Sequence, residues 1–355
     1  MPQVNALRGG IYSLLRRRFK ERVHRNDTHL RAAWINRHSW DHMDTVANGV
    51  YHLGIRMRAA WEDVLAVTLA TRFHDIGYDF PEGIDPESCT KEQHCQHAQR
   101  GADFFADAIV DTRKKRGFDD VMPWWTERHT QLGHDAIRLH SNGSTLVAPE
   151  VRGRADMALA LLPRLLDKLH NSADRIYPEH LDLFSRVPHK TIGHIRQRVQ
   201  QGTRWLLEAP SLQARHRNTP DEAFEKLELF EYGFAHRLVP HAITDQRLLM
   251  HPDTGMLEVE YMAYPSRVEG LLGVPYDPEM HSAHFDLAYD RSMQNAACVA
   301  AMVRRRLFGE HAAEMRTPPL RVRLAYDDGS VVTKDYGAHE EAPVAQSRQQ
   351  AVTTV

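Results

Sequence analysis

Cysteine is scarce in this chain: Cys89, Cys95 and Cys298 are the only ones among 355 residues, and no two have C-x-x-C spacing. That excludes a zinc ribbon and a disulfide framework, and a reducing, cytoplasmic setting is expected. Long apolar runs are also missing. No stretch approaches the roughly 18 residues needed to cross a bilayer, and the N-terminus lacks a hydrophobic signal core followed by a cleavage site, so no membrane span is expected. Charge of one sign does not accumulate either. Lys and Arg number 45 against 47 Asp and Glu, a formal net charge of -2. The balance gives no case for specific nucleic-acid binding or for an anionic membrane as partner. No internal repeat or low-complexity tract is present.

What remains is an ordinary globular composition, 42% hydrophobic and 26% charged, in a chain long enough for one large domain or two ordinary ones. Two features stand out. The first 37 residues carry Arg8, Arg16, Arg17, Arg18, Lys20, Arg22, Arg25, Arg31 and Arg37 against only Glu21 and Asp27. Histidine is abundant, at 23 residues, and it is the commonest metal ligand.

Hydrophobic spacing predicts a mainly α fold. Ile11, Leu14, Leu15, Phe19 and Val23 recur at helical intervals opposite a basic face, which reads as an N-terminal helix packed on the body of the protein. Between Trp34 and Tyr177 the pattern predicts helices over 42–57, 61–75, 91–115, 120–141 and 153–171, with no strand. Breaks are expected at Gly77–Pro86, Arg116–Gly117 and Ser141–Ser144. Further helices are expected over 178–236, bounded by Pro188, Pro210 and Pro220. The period changes after Phe234. Leu257-Glu258-Val259-Glu260-Tyr261 alternates as a half-buried strand does, with 238–250 as its hairpin partner. Leu320–Leu324 and Val331-Val332 form a second candidate hairpin through Asp327-Asp328-Gly329-Ser330, and a helix over 285–308 lies between the two. The expected organisation is a basic helix (1–33), a helical domain (34–177), a helical extension (178–236), an α+β region (237–337) and a disordered tail (338–355).

The chemistry gathers at Thr71-Arg72-Phe73-His74-Asp75-Ile76-Gly77-Tyr78. An imidazole beside a carboxylate can share one divalent ion, while the second carboxylate oxygen stays free for another ion or a water. Further candidate ligands sit on separate predicted helices: His42 in Trp40-Asp41-His42, His97 before Gly101, His140 at a helix end, and Asp167 in Leu166-Asp167-Lys168-Leu169. A helical bundle can aim such residues at one core site. His38, His94, His129, His134, Asp156 and Asp174 compete locally with these positions. His170 and His52 read as supporting or surface groups, and Trp124-Trp125 as core or interface.

The order His42, His74-Asp75, His97, His140, Asp167 resembles the HD-domain superfamily of metal-dependent phosphohydrolases. The resemblance covers roughly residues 34–175 and centres on the His74-Asp75-Ile76-Gly77 signature. It implies an all-α core in which His42, His74, Asp75 and Asp167 hold one ion, while Asp75 bridges to a second ion held by His97 and His140. The two extra histidines are similar to those of the dinuclear members, including the cyclic-dinucleotide HD-GYP phosphodiesterases. That closer likeness stops at the ligand set. Tyr78 stands where those enzymes have lysine, the Gly-Tyr-Pro motif is missing, and Ser141 replaces a second histidine after His140. Asp167-Lys168-Leu169-His170-Asn171 resembles the closing motif of the ppGpp hydrolases, which implies a nucleotide contact for Asn171.

Mixed imidazole and carboxylate ligands suit one or two ions of Mn, Fe, Ni, Co or Zn, with Mg as an additional candidate. The expected activity is hydrolysis of a phosphate mono- or diester of a nucleotide or small metabolite by a metal-activated hydroxide, with His74 and Asp75 at its centre. Lys168, Asn171 and Arg72 are the candidate substrate contacts. The ligand set also resembles di-iron HD-domain oxygenases, and a catalytically idle nucleotide-binding sensor is a third reading. The C-terminal region is open between homo-oligomer contact, lid and partner site.

Overall fold

The computed structural model describes residues 10–32, 38–78, 96–114, 118–141, 157–178, 181, 235–273 and 275–337. Of the helical extension expected over 178–236, residues 179–180 and 182–234 lie outside these residues, as does the tail over 338–355. The described chain is predominantly α-helical with a small mixed sheet toward its C-terminus.

Helix α1 (Ile11–Ala32) buries Ile11, Leu15, Phe19 and Val23 of the stripe its spacing predicts, with Leu14 half-buried. It packs on Phe73, with Phe19 and Tyr12 ring centroids 5.5 and 5.9 Å from that ring. Its basic face is partly consumed in contacts: Arg18 pairs with Asp111 at 2.9 Å, and Arg22 lies over Phe104.

Helices α2 (Trp40–Arg56), α3 (Trp61–Thr71), α4 (His97–Arg113), α5 (Phe118–Val121), α6 (Glu127–Arg138), α7 (Met157–Ala160) and α8 (Leu162–Leu169) follow. α3 packs between α2 and α6, α4 packs on α6, and α8 lies against α2 and α6. Three expected helices are shorter than their patterns. The segment predicted as 61–75 leaves the helix after Thr71, the segment predicted as 120–141 is interrupted between Val121 and Glu127, and the segment predicted as 153–171 turns at Leu161 and ends at Leu169. Pro123 explains the second break: proline supplies no N–H and its ring clashes with the preceding turn. Thr126 then caps α6, with the His129 side chain accepting from the Thr126 backbone N–H at 2.9 Å.

The sheet has strand order β1 (Ile243–Met250), β2 (Leu257–Ala263), β3 (Leu320–Tyr326), β4 (Val331–Tyr336). Both expected hairpins are present, though residues 238–242 of the first are helical. Gly329 (φ 84) makes the turn of the second, a conformation that side chains with a Cβ resist. The central strands β2 and β3 run parallel, Leu257 opposite Leu320 and Ala263 opposite Tyr326. A parallel pair needs a crossover, and α9 (Pro265–Leu272) with α10 (Pro278–Phe308) provides it. α10 starts seven residues before the expected 285, capped by Asp277, whose side chain accepts from Met280 N–H at 2.8 Å.

The two regions share one core. Val46, Val50, Leu165 and Leu169 of the bundle belong to the same buried cluster as Leu257, Tyr261, Phe285 and Met293. α8 is the link, because it also packs on α10. Its end is held from the sheet: Tyr261 donates its hydroxyl to Leu169 O at 2.5 Å, and Gln246 accepts from Asn171 N–H at 3.3 Å. Tyr261→Phe leaves the buried Leu169 carbonyl without that donor, and the expected loss is about 1–3 kcal/mol of unfolding free energy. Urea denaturation checks it; an unchanged midpoint would show that the sheet does not brace α8.

Candidate metal centre

The motif turn is built by short-range hydrogen bonding. After α3 ends, Phe73 N–H bonds Ala70 O at 2.9 Å, His74 N–H bonds Thr71 O at 3.2 Å and Ile76 N–H bonds Phe73 O at 3.3 Å. These three-residue closures wind the backbone more tightly than an α-helix does, and they drive Phe73 and Ile76 into the core while His74 and Asp75 are buried beside each other. Asn26 of α1 adds a clamp, its Nδ2 donating to Asp75 O and Ile76 O at 3.4 and 3.3 Å. Gly77 lets the turn meet α4. A Cβ there would fall 1.9 Å from His97 O and 2.4 Å from Gly101 N, so no other residue permits this approach.

Around Asp75 the candidate ligands form two groups, His42 with His74 and His97 with His140, each including Asp75. The carboxylate faces both. Its Oδ2 is 3.0 Å from His74 Nε2 and 3.5 Å from His42 Nε2, while Oδ1 is 3.3 Å from His140 Nε2 and 3.8 Å from His97 Nε2. His97 Nε2 and His140 Nε2 are 3.0 Å apart, and His42 Nε2 is 3.2 Å from Asp167 Oδ1. Donor atoms bonded to one ion at about 2.1 Å stand roughly 3.0–3.4 Å from their neighbours in octahedral or tetrahedral arrangements. The observed spacings match that range or lie just beyond it.

Hydrogen bonding points the same way. Among the described residues His42 Nε2, His74 Nε2 and Asp75 Oδ2 are buried without a hydrogen-bond partner, although both nitrogens lie within 3.5 Å of that oxygen. Lone pairs that converge instead of pairing cost free energy unless a cation takes them. The outer nitrogens are already assigned. His74 Nδ1 donates to Thr71 O at 2.7 Å and His140 Nδ1 donates to Ile137 O at 2.5 Å, so the neutral form of either ring is bare at Nε2, toward the centre.

Charge agrees with geometry. Burial pushes the Asp75 carboxyl up, but the surrounding imidazoles, His74 first among them, outweigh it and hold it well below the usual carboxylate range. Burial likewise opposes ionisation of Asp167, and Lys168, His42 and Arg175 outweigh it. Burial lowers His74, while Asp75 and Asp167 raise it, with a net rise. Two ionised carboxylates among buried imidazoles form a site for positive charge.

No protein-family model, curated protein or solved structure matches this chain. The residues themselves therefore carry the reading.

The competing histidines that the structure describes make other contacts. His129 faces Asp63 at 3.4 Å and His134 faces Asp103 at 3.0 Å. His38 lies beside the centre, its Nε2 accepting from Arg175 Nη2 at 3.2 Å; burial holds it well below its ordinary pKa, hence neutral. His94 lies outside the described residues. Of the substrate candidates, Lys168 reaches Asp167 Oδ2 at 3.2 Å, while the Asn171 side chain donates to Lys168 O at 2.9 Å. Arg72 is engaged by Asp44 at 2.5 Å and Asn48 at 3.1 Å, and it lies over the Tyr12 ring.

Sequence reasoning missed Arg175, Tyr78 and Asn26 as contributors, and it left His170 open between a supporting and a surface role. Arg175 approaches Asp167 Oδ1 at 3.7 Å and donates to His170 O at 3.1 Å. Tyr78, notable in the sequence only as a departure from a family pattern, stacks on His97 with centroids 3.9 Å apart and an 11° interplanar angle. His170 faces His42, Nδ1 to Nδ1, at 2.7 Å; burial, with His42 and Arg175 nearby, pushes it down to about 3. None lies on a periodic stripe that would have marked it.

Gly77→Ala tests the close approach. The added methyl must displace α4 and with it His97, and the expected result is about 1–3 kcal/mol of lost stability with loss of ion binding at the His97–His140 side. Metal titration and thermal unfolding check it; wild-type stability with full metal binding would contradict it.

Proposed function

We propose that the chain is a metal-dependent phosphohydrolase of HD-domain type, acting on a phosphate mono- or diester of a nucleotide or similar small metabolite. The observation that carries the reading is Asp75, whose two oxygens each face a separate pair of imidazoles. His42, His74, Asp75 and Asp167 would hold one divalent ion, and Asp75, His97 and His140 a second. When bound, such ions supply Lewis acidity toward phosphate oxygens and lower the pKa of a water toward neutrality.

The chain's own residues do the rest. Burial of His42, His74, Asp75, His97 and His140 keeps bulk water from the ligand atoms and strengthens their field. Backbone carbonyls fix the His74 and His140 rings with Nε2 inward. Lys168 and Arg175, gathered at Asp167, place positive charge at the rim of the centre, where a phosphate's negative charge would be offset. Lys168 is the candidate substrate contact that touches a ligand, Asp167, and Asn171 is tied to it through the Lys168 carbonyl. Arg72, tied to Asp44, would serve indirectly by holding α1 and α2 against the motif turn. No side-chain nucleophile is required, since water is the attacking species.

A panel of phosphomonoesters, cyclic nucleotides and nucleoside phosphates, assayed with Mn²⁺, Fe²⁺ or Ni²⁺, tests this. Turnover on at least one class is expected, with Asp75→Ala reducing it by at least three orders of magnitude, roughly 4 kcal/mol in transition-state stabilisation. Wild-type turnover in Asp75→Ala would contradict the reading. Bound iron with O₂ consumption and no phosphatase activity would replace it with di-iron oxygenase chemistry, which the same ligands could serve.

A further inference from the structure

A neutral imidazole carries one proton, so a histidine can ligate an ion through Nε2 only if the proton sits on Nδ1. Backbone carbonyls fix this for His74 and His140. His42 has no such carbonyl. Its Nδ1 meets another imidazole nitrogen, His170 Nδ1, at 2.7 Å, in rings only 6° from parallel. Two facing Nδ1 atoms leave the direction of that bond open, because either ring can donate.

The direction is settled further from the centre. His170 Nε2 lies 3.1 Å from Ser172 Oγ, and Ser172 donates its hydroxyl proton to Asp174 Oδ1. A hydroxyl has one proton, and a carboxylate only accepts. Ser172 Oγ must therefore accept from His170 Nε2–H. The neutral His170 ring is then bare at Nδ1 and accepts from His42 Nδ1–H. His42 is left bare at Nε2, the atom 3.5 Å from Asp75 Oδ2 and 3.2 Å from Asp167 Oδ1.

We propose that His170, Ser172 and Asp174 form a tautomer lock, in which an exposed carboxylate sets, through a serine and a buried histidine, which nitrogen His42 presents to the centre. His170 acts here as a positioning residue, through His42. The proposal rests on the reading of His42 as a ligand. The chain runs from exposed Asp174 through half-buried Ser172 to buried His170 and His42, so its outer end can be changed without touching the core. A neutral imidazole as the inner acceptor also holds the His42 ring without adding a third negative charge beside Asp75 and Asp167.

The test is histidine-selective nitrogen-15 NMR on the metal-free full chain at mildly alkaline pH, paired with Mn²⁺ titration. Wild-type His42 is expected as the Nδ1–H tautomer. Asp174→Asn supplies an amide that can donate to Ser172 Oγ, turning the hydroxyl proton toward His170 and reversing the chain. The expected outcome is a rise in the His42 Nε2–H tautomer and a Mn²⁺ affinity lowered roughly 10- to 100-fold, the usual effect of losing an outer partner of a metal-bound histidine. Ser172→Ala should also mix the tautomers, and Ser172→Thr should restore wild-type behaviour. An Nε2–H tautomer in the wild type, or an unchanged His42 tautomer in both Asp174→Asn and Ser172→Ala, would overturn the lock. Absence of any metal binding would remove the reading of the centre, while the NMR tautomer would still decide the lock on its own.

Discussion

Asp75 is a buried carboxylate that turns one oxygen to His74 and His42 and the other to His140 and His97. An ionised group this deep is costly unless positive charge compensates it. The surrounding imidazoles supply that compensation in part, and they aim lone pairs at the carboxylate instead of uniformly donating to it. The remainder of the described structure can be understood as the framework this arrangement requires. The tight turn after α3 places His74 and Asp75 together, α2 and α8 bring His42 and Asp167, and α4 and α6 bring His97 and His140.

Three supports keep the centre from relaxing into ordinary hydrogen bonds. Gly77 allows the turn to touch the α4 backbone, which fixes the distance between the two halves. Asn26 of the N-terminal helix holds the carbonyls of Asp75 and Ile76, so that helix braces the motif as well as contributing to the core. Tyr261 and Gln246 hold the end of α8 from the sheet. The C-terminal region thereby reaches the element that carries Asp167, and its core is continuous with that of the bundle.

Much of this was legible in the sequence, and the rest was not for physical reasons. Helices with strong 3.6-residue stripes, such as α1 and α2, were readable, as were the hairpins marked by Pro252–Gly255 and Asp327–Ser330. The end of α3 was obscured because Phe73 and Ile76, three apart, fit both a helix and the tighter turn that forms. The parallel pairing of β2 with β3 leaves no local trace, because some sixty intervening residues carry the crossover. At the centre, His42, His74, Asp75, His97 and His140 could be picked out because their chemistry and order are specific. Arg175, Tyr78 and Asn26 could not, and His170 could be read only as a supporting or surface group, since each acts through contacts that depend on the folded backbone and follow no repeat. No helix among the described residues is long and apolar enough to cross a membrane.

The central claim is that one carboxylate serves two cation positions, and counting ions tests it most directly. Elemental analysis of the full chain after equilibration with Mn²⁺ or Fe²⁺, and removal of loosely held metal, should find two ions per chain. Asp75→Ala should hold neither. A wild-type protein that binds no transition metal, or an Asp75→Ala variant that keeps both ions, would contradict the account.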